Sequence, residues 1–77
     1  MTRFYFNVYN SETTLDDEGS DLPGTAEAEV EARAVAADLI REEILAGRRV
    51  HPEHRIEVED ADRQVVHVLR FGELIAE

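Results

Sequence analysis

The 77-residue chain carries 18 acidic side chains against 8 basic ones, for a formal net charge of −10 at pH 7. That charge repels phosphate backbones and so speaks against direct nucleic-acid binding. The absence of cysteine excludes disulfides and thiolate metal sites, and no apolar run reaches the roughly 20 residues of a membrane span.

The length predicts a single domain over residues 1–77. From Arg3 to Tyr9 the residues alternate, with Phe4, Phe6 and Val8 on one side and Tyr5, Asn7 and Tyr9 on the other. This is a strand of good β formers. Met1-Thr2-Arg3-Phe4 enters it directly, without a signal peptide's apolar region, and a cytoplasmic protein is expected. Asn10-Ser11-Glu12 has turn chemistry, and Thr13 to Asp16 reads as a short second strand hairpinned to the first. Asp17 to Asp21 reads as an acidic loop. Its resemblance to a calcium loop fails on spacing, because Gly19 is the fourth residue counted from Asp16 and no helix precedes it.

Pro23-Gly24-Thr25 is a helix start, with Thr25 as the capping side chain, and Gly47 is the stop. Between them Ala28, Ala32, Val35, Ala36, Leu39 and Ile40 share one side of a 3.6-residue period, while Glu27, Glu31, Asp38 and Glu42 form an acidic stripe. Glu29 and Arg33 have the order of a stabilising i,i+4 pair. A buried side made largely of alanine requires close approach to the sheet, with the bulk supplied by Phe4, Phe6, Val8, Ile56 and Val58.

After the helix, Arg48 to His54 is a connection broken by Pro52, and Arg55 to Glu59 alternates as a strand. Asp60-Ala61-Asp62-Arg63 is a hairpin loop in which Arg63 falls at a left-handed position that ordinarily takes glycine. Gln64 to Phe71 is the last strand, and Gly72 to Glu77 is a tail or a short helical turn. The fold class is α+β: a β-β-α-β-β chain forming a three- or four-stranded, mainly antiparallel sheet with one α-helix on one face.

The last strand does not alternate cleanly. A three-residue hairpin loop sets Val66 and Val68 under the helix and turns Val65, His67, Leu69 and Phe71 outward beside Tyr5 and Tyr9. The opposite register exchanges the two sets. In both, large apolar groups occupy both sheet faces and one helix covers one of them. A contiguous exposed apolar surface marks an interface. The expectation is a homodimer or protein partner bound through Tyr5, Tyr9, Val65, His67, Leu69 and Phe71, set against the C-terminal tail folding over that face through Leu74 and Ile75.

Few residues invite a catalytic reading. His51 and His54 are spaced i,i+3 across a proline, unlike the helical i,i+4 pair of zinc proteases, so His51 and His54 beside Glu53 read as solvated loop residues, His67 lies on a sheet face, and no cofactor is expected. No Gly-rich phosphate loop or nucleophile–base motif is present. The expected role is non-catalytic: a small acidic interaction or regulatory protein. A histidine-dependent metalloenzyme is the alternative.

Arg3-Phe4-Tyr5-Phe6-Asn7-Val8, the acidic Asp17-Glu18-Gly19 turn, and Asp21-Leu22-Pro23 before an Ala-rich helix resemble the small α-proteobacterial proteins grouped as the DUF6894 domain. The hairpin Val58 to Val65 is similar, although that family commonly has glycine near Arg63. The resemblance implies the fold and a rhizobial type of host, and no activity. The β-β-α-β-β order also resembles HicB-like antitoxin domains, which implies a subunit that masks a basic toxin as a further alternative.

Overall fold

The structure is a computed structural model describing residues 1–75. Its elements are β1 (Thr2–Tyr9), β2 (Thr13–Thr14), β3 (Ser20–Leu22), α1 (Thr25–Leu45), β4 (Arg55–Glu59), β5 (Val65–Arg70) and α2 (Gly72–Ile75). The antiparallel sheet runs β2-β1-β4-β5, and β3 also pairs with β1. α1 lies across one face, as the alternation of β1 and β4 predicts. The strand count exceeds the three or four expected, because Ser20–Leu22 is a strand within the segment read as a loop.

β2 and β3 divide one edge of β1 between them. β2 takes Val8 and Tyr9, and β3 takes Thr2 to Phe4. Asp16 closes the gap. Its carboxylate accepts the Phe6 N–H at 3.0 Å, the Gly19 N–H at 3.0 Å and the Glu18 N–H at 3.2 Å. Its own N–H donates to Asn7 Oδ1 at 2.9 Å. The side chain thus supplies acceptors where no neighbouring strand does, which answers the demand that β1's inner amides be paired. Partial burial alone raises this carboxyl, but the backbone donors of Gly19, Phe6 and Glu18, with Arg63 nearby, outweigh it and hold the group below its ordinary 3.8.

The ionised form is the one that accepts these three N–H groups. Its contribution is therefore complete above the unfolded-state value and is lost as pH falls through the depressed folded-state one. Asp16→Asn is expected to cost about 2 kcal/mol at neutral pH, since one amide N–H₂ must then face a backbone donor. The gap between wild type and variant in urea unfolding should close below pH 3.8. A gap independent of pH would remove the carboxylate from this role.

Gly24 is the N-cap of α1 and provides no side-chain bond, so Thr25 is the first helical residue and not the cap. At the other end Arg48 N–H reaches Glu43 C=O at 2.9 Å and Gly47 N–H reaches Ile44 C=O at 3.0 Å, with Gly47 at φ +75°. This is the Schellman arrangement that the glycine stop implies. Ala28, Ala32 and Ala36 have no exposed surface and Ile40 is buried, as the helical period predicts. Glu29 and Arg33 do not form an ion pair. Glu29 instead turns toward His67, 3.9 Å away.

The core joins Phe4, the α1 alanines, Ile40, Ile56, Val58, Leu69 and Phe71. A bulge between Val58 and Glu59 decides the register, pairing Ile56 with Leu69, Val58 with His67, and Glu59 with Val65. Leu69 and Phe71 therefore enter the core under α1, and Val65 and Val66 are left exposed. Of the two registers open to the sequence, the chain adopts the one that puts Leu69 under the helix.

Candidate functional site

The far face of the sheet is not apolar, which corrects the expectation of two apolar faces. Reading across β1, β4 and β5, its rows are Tyr5-Glu59-Val65, Asn7-Glu57-Val68 and Tyr9-Arg55-Arg70. Arg55, Glu57 and Glu59 thus run down the centre and separate the tyrosines from the valines. Arg55 pairs with Glu57 at 2.7 Å and its guanidinium lies 4.3 Å from the Tyr9 ring centre. Arg63 pairs with Glu59 at 2.9 Å and sits 3.7 Å over Tyr5. Both tyrosines are covered by cations of their own chain. The left-handed residue of the hairpin is indeed Arg63, at φ 64°, and its stacking on Tyr5 gives a reason for arginine there in place of glycine.

The residues expected to form one surface are therefore dispersed. Tyr5 and Tyr9 lie half-buried on the far face, and Val65 is exposed at the β5 edge. His67 points to the helix side and is half-buried, while Leu69 and Phe71 are core. Among the described residues, the C-terminal segment Gly72–Ile75 does not fold over the far face, and residues 76–77 of the expected tail lie outside the described residues. Leu74 packs on the core, and with Ile75 it lines a groove beside α1.

That groove holds about 330 Å³ and is lined by Ala37, Ile40, Arg41, Ile44, Leu45, Leu74 and Ile75. Ile44 and Leu45 rise from its wall, 63% and 79% exposed. The helical period predicts a buried stripe that ends at Ile40. The sequence signal for the groove is the adjacent pair Ile44-Leu45 together with a second apolar pair, Leu74-Ile75.

His51, Glu53 and His54 come together in the turn before β4, with one ligand atom from each lying within 4.8 Å of the others. His67 is not part of this cluster. The chain has no cysteine, and among the described residues this is the one cluster of metal-ligand type. Among the same residues, no helix is long and apolar enough to cross a membrane.

Residues 3–72 match the family described as Domain of unknown function (DUF6894), and the chain belongs to that family. No curated protein and no solved structure matches it.

Proposed function

We propose that this DUF6894 protein is a non-catalytic interaction module that self-associates through the groove between α1 and α2. The observation that carries the reading is the exposed Ile44-Leu45 pair standing beside an apolar hollow. Exposed apolar surface of this kind is the usual mark of a protein interface. The second copy is the fitting occupant because the surface is self-complementary. It offers projecting side chains, Ile44 and Leu45, and a hollow lined by Ala37 and buried Ile40. A two-fold contact puts the knobs of each copy into the hollow of the other.

Charge supports the same arrangement. Arg41 lies on the lining, paired with Asp38 at 3.1 Å, and Glu42 follows it on α1. Antiparallel approach of two α1 helices sets Arg41 of one copy against Asp38 and Glu42 of the other. The net charge of −10 on each copy opposes association, so added salt should strengthen the dimer by screening that repulsion.

A second reading rests on β5. It is the unshared edge of the sheet. The Phe71 N–H bonds back to His54, so strand alternation turns the Val68 amide outward beside exposed Val65 and Val66. A second copy could pair there, edge to edge.

Sedimentation equilibrium separates these readings. The wild type is expected at dimer mass, tightening with salt. Leu45→Lys, at an exposed position, should run as monomer, and Val66→Lys should remain dimeric. The opposite pattern moves the interface to β5. A wild type that stays monomeric at high concentration and high salt overturns both.

A further inference from the structure

The turn between α1 and β4 carries chemistry that the interface reading leaves unused. We propose that His51, Glu53 and His54 bind one divalent transition-metal ion, through two imidazoles and one carboxylate.

Geometry comes first. His51 Nδ1 lies 3.4 Å from Glu53 Oε2, close to the separation of about 3.3 Å between two ligands at the corners of a tetrahedral zinc site. The His51 and His54 rings are 4.7 Å apart at 35°. His54 has its remaining approach to make by side-chain rotation, since all three ligand atoms already fall within 4.8 Å.

The backbone beneath them is held. His54 N–H donates to His51 C=O at 3.1 Å, closing the turn. Phe71 N–H donates to His54 C=O at 2.8 Å, and Gly72 N–H to Pro52 C=O at 2.9 Å. The two segments pass close together there: a Cβ on Gly72 would stand 3.2 Å from Pro52 Cβ and 3.3 Å from its carbonyl oxygen. The His54 ring meets the edge of buried Phe71, 5.8 Å between centres. Preorganisation of this kind lowers the ordering cost of binding.

The i,i+3 spacing across Pro52 departs from the helical i,i+4 pair of zinc proteases, which is why the sequence predicts no metal there. The segment is a turn, and a turn can converge residues that a helix would spread. Two imidazoles select zinc, nickel or copper over calcium and magnesium, which take oxygen sites. Three protein ligands leave a coordination position for water, and nothing in the turn supplies a further reactive group.

Isothermal calorimetry with zinc ions on the full chain tests this. The expected result is one equivalent bound at micromolar affinity, with no binding of calcium or magnesium. His51→Ala and Glu53→Gln should each weaken zinc by more than about tenfold, since losing even an outer partner of a metal ligand does as much. Both side chains are partly exposed, and circular dichroism should show the variants folded. His67→Gln should bind as the wild type does. The proposal is overturned by affinity no better than millimolar, or by micromolar binding that survives His51→Ala. Either result would leave Glu53 and His51 as an ordinary surface contact.

Discussion

Phe71→Ala is expected to lower the unfolding free energy by about 3–5 kcal/mol, the cost of emptying a large aromatic site in a packed core. The side chain is 2% exposed and is among the largest fully enclosed ones in the molecule. A domain of this length has only about 4–12 kcal/mol to lose, at 0.05–0.15 per residue. The variant should therefore be largely unfolded, or unfold at far lower urea than the wild type. Val66→Ala, at an exposed site one strand face away, should shift the midpoint little. Urea titration followed by circular dichroism measures both. A folded Phe71→Ala with wild-type stability would place Phe71 on the surface and not in the core.

Gly19→Ala is expected to cost about 3 kcal/mol or more, combining left-handed strain with a backbone clash. Gly19 sits at φ +73°, and an added Cβ would stand 2.7 Å from the Phe4 carbonyl oxygen and 2.7 Å from Arg3 Cδ. Arg3 could move, since its guanidinium is on the surface holding Asp21 at 2.9 Å. The Phe4 carbonyl cannot move without disturbing β1. Relieving the clash would lift β3 from β1 and withdraw the Gly19 N–H from Asp16. Gly47→Ala provides the comparison. Its φ is +75°, but a Cβ there meets nothing within 4 Å. That substitution should cost only the conformational term, about 1–2 kcal/mol. Equal losses at the two glycines would show that close packing around Gly19 adds nothing.

The fold was legible where one period dominates. β1 and β4 alternate, and α1 repeats Ala28, Ala32, Ala36, Ile40 at four-residue intervals between recognisable ends. β3 was hidden because Ser20-Asp21-Leu22 has no strand propensity of its own. It is a strand because Arg3 grips Asp21 and Asp16 shapes the turn before it. These are long-range causes that local pattern does not carry.

The candidate surface was misplaced for a more local reason. A one-residue bulge beside Glu59 reversed the parity of β5, and a single inserted residue exchanges every side chain between faces. The charged row of Arg55, Glu57 and Glu59 was visible in the sequence. Its position in the centre of the face became apparent only from the strand order. The convergence of His51, Glu53 and His54 depended on the turn geometry around Pro52, which residue spacing alone does not specify.

The strand order also constrains how the chain can be made. β1 is interior to the sheet, and its long neighbour β4 lies on the far side of the whole helix in sequence. A ribosome that has released everything through α1 has emitted a central strand with only two stubs to hold it. The amphipathic helix then has half a platform to rest on. Productive collapse must wait until residues 55–59 clear the exit tunnel, well after α1 itself has emerged. During that wait Phe4, Phe6 and Val8 are open to any chaperone that recognises extended apolar segments.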